Sequence, residues 1–329
     1  MAKKEIEKGT LKVRDIVFFK SKDDTRAKEI DTYSFEKVDQ EDKIKLATDY
    51  RPFGNHFQYT IYIENQSEAP ITEMKIKMKF PNFLTFSRCF PTTINIPDIK
   101  LEENVNQINI EFDVLNEKSN KQMNLHFVPN SVDNMGEIRT IVTYVNNKDT
   151  VRVLDSRPTH ISVDKITIEP KVVLSSYIRE FSRISGIKNA IKSMGVGVEP
   201  LVHPNIFFEI LEEVFLNQNF QMVTKDLNNK ILWYFGIESL IKQEVLAIGQ
   251  VISNKIEIIA SSSNQYLLIS LLTQISNEFK DHLISKRIIK SKDDVFNLEC
   301  TNCGAILPYF PQKEEPIECK NCKYEQVIW

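Results

Sequence analysis

Near Pro170 the spacing of apolar residues along this chain switches from a period of two to a period near 3.6. Upstream, Phe57, Tyr59, Ile61 and Ile63 alternate with polar neighbours, and Ile71, Met74, Ile76, Met78 and Phe80 resume the pattern after a turn-prone stretch at 64–70. Alternation puts one face of each strand in a core and the other in water. Further strands are predicted over 107–114, 121–128, 137–145, 150–154 and 160–168, with turns such as Val145-Asn-Asn-Lys-Asp149 between them. Short strands at this spacing predict an immunoglobulin-like β-sandwich over 51–168, and the missing cysteine pair excludes the disulfide-bonded antibody type. Residues 1–50 are dense in Lys, Asp and Glu; one strand is expected over 11–19 and a solvated loop over 20–42.

Downstream, Tyr177, Ile178, Phe181 and Ile184 form one helical stripe and Ile187, Ala190, Ile191 and Met194 another, interrupted at Gly186 and stopped at Gly195-Val-Gly197. A second helix is predicted after His203-Pro204, carrying Ile206, Phe207, Ile210, Leu211, Val214 and Phe215. Three short runs rich in β-branched and aromatic residues, 231–237, 245–252 and 256–260, predict an antiparallel meander. After it, Leu268, Leu271, Leu272, Ile275 and Phe279 recur at helical spacing, with Ser263 as the N-cap. An α+β domain over 169–285 follows, an antiparallel sheet flanked by helices.

A sandwich followed by a helix, sheet and helix platform resembles the appendage, or ear, of clathrin-adaptor large subunits and of the coatomer gamma subunit. The resemblance spans roughly 50–283 and rests on two places. Tyr177-Ile-Arg-Glu-Phe-Ser-Arg-Ile-Ser-Gly is similar to the platform's first helix, with Tyr177 and Ile178 matching the pair that precedes the family's pocket-flooring tryptophan and Phe181 at that tryptophan's position. The stretch 256–279 resembles the family's last strand, its Ser/Thr-rich turn and its closing helix. The resemblance implies a peptide-binding pocket built from Tyr177, Ile178 and Phe181, to which Trp233 is added as a further apolar wall. Phe181 keeps an aromatic floor but lacks the indole N–H donor, and Glu257 and Ser261 stand where the family carries basic residues. The family's solenoid trunk is replaced by a different module.

That module is the strongest chemical signal. Four of the five cysteines lie in the last thirty residues, as Cys300-Thr-Asn-Cys303-Gly and Cys319-Lys-Asn-Cys322-Lys, fifteen residues apart. Two such knuckles deliver four thiolates to a tetrahedral ion, which predicts one structural zinc in a ribbon over 295–329, with 286–294 as an exposed linker. A redox dithiol is the competing reading. Cys89 is expected as a buried thiol.

Length and charge narrow the function. At 329 residues the chain suits two or three domains, and a net charge of −3 argues against broad attraction to polyanions. Its opening Met-Ala-Lys-Lys-Glu has no apolar signal core, and no run approaches the roughly 18 apolar residues of a membrane span, so a cytoplasmic location is expected. The five histidines are scattered, and the nine glycines form no phosphate loop, so no enzyme is expected. The reading reached is a multidomain, non-catalytic interaction module that binds short linear peptide motifs, with coat or trafficking components among its partners. The alternative is a nucleic-acid or transcription-associated zinc-ribbon protein that uses Lys286-Arg-Ile-Ile-Lys290-Ser-Lys292 as its basic contact.

Overall fold

A computed structural model describes residues 12–13, 16–17, 41–92, 94, 100–101 and 105–329. In the first of these, β1 (Lys12–Val13) pairs antiparallel with β2 (Ile16–Val17). The rest of the strand expected over 11–19, and nearly all of the loop expected over 20–42, lie outside the described residues.

The alternating region forms a two-sheet antiparallel sandwich. Its strands are β3 (Ile44–Phe53), β4 (His56–Asn65), β5 (Ile71–Pro81), β6 (Leu84–Phe90), β7 (Lys100–Leu101), β8 (Val105–Leu115), β9 (Ser119–Pro129), β10 (Asn134–Val145), β11 (Val151–Asp155) and β12 (Thr159–Val163). One sheet has the order β3-β4-β9-β6 and the other β11-β10-β5-β8-β7, with β12 also paired to β10. Tyr59, Ile61, Ile76, Met78 and Phe80 point into the space between them, as the alternation required, and Cys89 is a buried thiol whose pKa burial raises to about 11. Three strands were not foreseen, the two-residue β7 among them. β3 begins in the charged segment 1–50, where a strand was expected over 11–19 alone, so the sandwich begins before residue 51. β6 contains Thr85, Ser87 and Arg88, which hide its alternation, and its pairing with β9 is shifted by a bulge between Phe86 and Arg88 that sets Arg88 opposite His126.

Beyond the sandwich come β13 (Ile168–Pro170), α1 (Ser175–Phe181), β14 (Lys188–Val196), α2 (Pro204–Asn217), β15 (Gln221–Asp226), β16 (Ile231–Glu238), β17 (Glu244–Ile252), β18 (Lys255–Ser262), α3 (Gln265–Ser285) and β19 (Val295–Asn297). The strands make a seven-stranded sheet, β13-β16-β17-β18-β14-β19, with β15 also on β16. α2 and α3 cover one face, where Phe207, Leu211, Phe215, Leu268, Leu272 and Phe279 meet Tyr234, Ala247 and Ile258. The meander and both of these helices are as the periodicity predicted, although the α3 cap is Asn264, whose side chain accepts from Tyr266 N, rather than Ser263. α3 is buried without interruption from Leu267 to Ser276, because its other side faces the sandwich, where Ile269 joins that core.

The second stripe of the expected first helix is corrected. Residues 188–196 are strand β14, paired with β18 from Lys188↔Ser262 to Gly195↔Lys255. Ile187, Ala190, Ile191 and Met194 satisfy helical spacing, yet Ala190, Met194 and Val196 also alternate, and the free edge of β18 supplies the backbone partners that decide for a strand. Gly195-Val-Gly197 is therefore not a helix stop. A Cβ on Gly195 would lie 2.0 Å from the Phe310 ring, so the bare backbone is what lets the C-terminal module sit on the sheet.

The linker and ribbon boundaries also change. Ile289 is only 4% exposed and belongs to the core under α2 and α3, and Ser291 caps a short turn at Lys292–Asp294. β19, expected to open the ribbon, pairs with β14 through Met194↔Asn297, Gly195↔Phe296 and Val196↔Val295. What remains is a small unit with β20 (Pro316–Glu318) paired to β21 (Glu325–Val327).

Candidate metal centre and apolar sheet face

Both cysteine knuckles close with the same backbone pattern. Cys300 N donates to Ala305 O (2.8 Å) and Gly304 N to Cys300 O (2.8 Å); Cys319 N donates to Tyr324 O (2.9 Å) and Lys323 N to Cys319 O (2.9 Å). The residue after each second cysteine takes positive φ, +76° at Gly304 and +63° at Lys323. The four sulfur atoms come within 4.8 Å of one another, with Cys300 to Cys322 and Cys303 to Cys319 both at 3.6 Å. A tetrahedron with metal–sulfur bonds of about 2.3 Å has edges of about 3.8 Å, so the spacing is that of a metal site and far from a disulfide. Each knuckle also sends an amide across to the other: Asn302 Nδ2 donates to Cys322 Sγ (3.4 Å) and Asn321 Nδ2 to Cys303 Sγ (3.5 Å). Donors of this kind stabilise charged thiolates and fix their direction.

The residue before the first ligand, Glu299, reaches a buried polar network on the sandwich. Its Oε1 accepts from Asn55 Nδ2 (2.6 Å), and Arg88 Nη1 stands 3.7 Å from its Oε2. Arg88 Nη2 meets His56 Nε2 at 3.1 Å, His126 Nδ1 meets the same nitrogen at 2.9 Å, and His56 Nδ1 meets Asn55 Oδ1 at 2.8 Å. A guanidinium can only donate, so His56 accepts at Nε2 and carries its proton on Nδ1. Beside the network is a cleft of about 380 Å³ whose walls include Phe53, Asn189, Ile191, Ile306 and Asn321.

Two of the five histidines scattered in sequence, His56 and His126, thus meet in space. Burial first, and the Arg88 charge second, depress His56 to about 3 and His126 to about 4. In the unfolded chain both return to the usual value near 6.5, so the unfolded state takes up protons first as pH falls. The stability they contribute is complete above pH 6.5 and is lost progressively as pH falls, toward about 4 for His126 and about 3 for His56. Melting temperature is expected to drop across that window, and to drop less in His126→Gln; parallel curves for the two proteins would show that this pair does not titrate on unfolding.

The four residues assigned to a peptide pocket do come together. Tyr177, Ile178, Phe181 and Trp233 share one apolar cluster with Phe235 and Leu246, on the sheet face opposite α2 and α3. Phe181, placed by the resemblance at the floor of a pocket, is not open to a ligand: it is 1% exposed, edge-on to Phe235 at 5.2 Å, and Ile178 is 7% exposed. Ile184 lies beyond the end of α1 and is exposed. Tyr177 and Trp233 are only half-buried, and the Tyr177 hydroxyl donates to Glu244 Oε2 at 2.8 Å. The residues that periodicity alone could not single out are their neighbours. Trp233↔Ile248, Ile248↔Ile259 and Ile259↔Ile191 are cross-strand partners, so these four half-buried side chains make one row over β16, β17, β18 and β14. Glu257, next along, pairs with Lys255 at 2.7 Å. The basic run proposed as a nucleic-acid contact is partly neutralised within the chain, Lys286 by Glu213 (2.8 Å) and Lys292 by Asp281 (2.7 Å).

Among the described residues no helix is long and apolar enough to cross a membrane. No protein-family model matches the chain, and no curated protein does. Among solved structures it is similar to an uncharacterized Nocardia farcinica protein with an immunoglobulin-like fold, at 10% identity over 36% of this chain and 98% of that one, with a TM-score of 0.26. It is also similar to the major pilin SpaD of Corynebacterium diphtheriae, at 10% identity over 47% and 43% of the two chains (TM-score 0.32). The sporulation control protein Spo0M of Bacillus subtilis aligns at 10% identity over 67% and 79%, with a TM-score of 0.20. Likenesses this faint carry no argument about what the chain does, and none of the three is a vesicle-coat appendage.

Proposed function

We propose that this chain is a non-catalytic, cytoplasmic interaction module that binds short peptide motifs on the open face of its seven-stranded sheet and carries one structural zinc at Cys300, Cys303, Cys319 and Cys322. The observation that carries the peptide reading is the row of half-buried Trp233, Ile248, Ile259 and Ile191 across four strands. A sheet face covered at one end by the seven-residue α1 alone has apolar area left to bury, and an extended peptide with one or two aromatic anchors matches such a row. Tyr177 supplies the rim at the α1 end, with a hydroxyl already oriented by Glu244. Few anchors must offset the ordering of a flexible ligand, so affinities of order micromolar to hundreds of micromolar are expected. The order of units, a sandwich followed by a helix-backed α+β platform, supports the reading through its resemblance to vesicle-coat appendages.

The zinc reading is supported by the fit of the donor set. Thiolates in a tetrahedral cluster favour zinc among common ions, and the four ligands leave no open position for substrate, so the metal's contribution is to hold the ribbon together. Selection from a displayed library of short peptides, followed by titration of Trp233→Ser, tests the binding face. Binding lost with a melting temperature within a few degrees of the parent is the expected result, since Trp233 is half-buried. Unchanged binding in the variant, or a library from which nothing is enriched, would remove the face from consideration.

A further inference from the structure

We propose that Arg88, contributed by the sandwich, is a positioning residue for the four-cysteine metal site, so that metal occupancy in the ribbon and order at one end of the sandwich depend on each other. The inference rests on the zinc reading above.

Arg88 is 8% exposed and Glu299 7% exposed, so both charges are withdrawn from water at the joint between two units. The guanidinium lies flat against Gly304, the residue after Cys303: a Cβ there would fall 2.2 Å from Arg88 Cζ. On the same side it also faces Glu299, the residue before Cys300. Arg88 therefore touches the chain on both flanks of the first knuckle. The Nη1 and Oε2 atoms that face each other at 3.7 Å have no hydrogen-bond partner, which leaves a single carboxylate as a loose neutraliser of a buried cation. Charge explains why a cation belongs there. Four thiolates around a divalent ion carry a net charge of −2, and Glu299 adds to it, so a fixed guanidinium lowers the cost of holding that charge out of water.

The far side of Arg88 is anchored in the sandwich. The β6 bulge sets it opposite His126, and its Nη2 donates to His56, which is held by His126 and Asn55. Asn55 in turn donates to Glu299, closing a ring of polar contacts between β4, β6, β9 and the knuckle. If the metal leaves, Cys300 and Cys303 lose their common centre and Glu299 and Gly304 lose their placement. Arg88 is then buried without an anion, and the strand ends that hold it loosen. Linkage makes the effect reciprocal: whatever factor Arg88 adds to metal affinity, the metal adds to the order of the Arg88 environment.

The test uses the full chain, with zinc titrated against a chromophoric chelator and amide exchange followed with and without zinc. Arg88→Met, which keeps length and loses charge, is expected to bind zinc about 10–100-fold more weakly, the usual range for groups that support metal ligands. Arg88→Lys keeps the charge without the planar fork and should lose less than about threefold, a rescue that a purely space-filling role would not produce. In the parent protein, removing zinc should raise amide exchange in β6 and in the facing part of β9. Folded Arg88→Met with parental zinc affinity would overturn the proposal. If that variant does not fold, unchanged exchange in β6 and β9 of the zinc-free parent overturns it just as well. A parent protein that holds no zinc by elemental analysis fails the zinc reading instead, before any variant is compared.

Discussion

Replacing Phe181 by Ser is expected to destabilise the chain by about 3–5 kcal/mol, the cost of deleting a buried aromatic side chain, with a further penalty for the hydroxyl left in its place. The ring is 1% exposed and is held edge-on to Phe235 at 5.2 Å and tilted to Tyr177 at 6.4 Å, in one buried cluster with Ile178 and Leu246. No relaxation of the short helix α1 fills that space without giving up the cluster that fixes it to the sheet. Paired melts of the parent and Phe181→Ser measure the effect. A melting temperature that stays put while peptide binding disappears would restore Phe181 as an open pocket floor. The contrast with Trp233→Ser matters, because two residues of one cluster then have opposite outcomes, one on stability and one on binding.

Metal removal is expected to release the residues beyond β19 to protease while the seven-stranded sheet and the bulk of the sandwich stay folded, with loosening in the sandwich confined to β6 and the facing part of β9. The buried core of the small unit consists of Leu298, Cys300, Leu307, Ile317 and Cys319, and two of these five are ligands. A core of that size cannot hold a fold unless metal binding contributes. Elemental analysis should find one zinc per chain before treatment, and Cys319→Ser with Cys322→Ser should mimic its loss. With metal bound, the 286–294 stretch should not be the first site cut, since Ile289 is in the core and β19 continues the sheet. Mass spectrometry of brief digests reads both outcomes. Full metal content in the double variant would reassign the ligands, and a ribbon equally resistant with and without metal would show that docking through Phe310, Phe296 and Trp329 suffices.

The features legible in the sequence are those set by near neighbours. Strand alternation in β4 and β5, the α2 start at His203-Pro204, the meander and the α3 stripe each declare themselves within about a dozen residues, because side-chain direction follows from local backbone geometry. The two knuckles are legible for the same reason: a Cys-x-x-Cys turn places both sulfurs by itself, and only the pairing of one turn with the other is long-range. The structure decided what local spacing leaves open. Residues 188–196 fit either period, and the unpaired edge of β18 made them a strand. Phe181 sits on a helical stripe that would serve a core or a pocket, and Phe235 beneath it settled the matter in favour of the core. No pattern marks Arg88, His56, His126 or Glu299, since the contacts that give them meaning join residues as far apart as Asn55 and Glu299, 244 positions along the chain. A buried polar group has its purpose written in its partner, and partners across such distances are chosen by the packing of whole units.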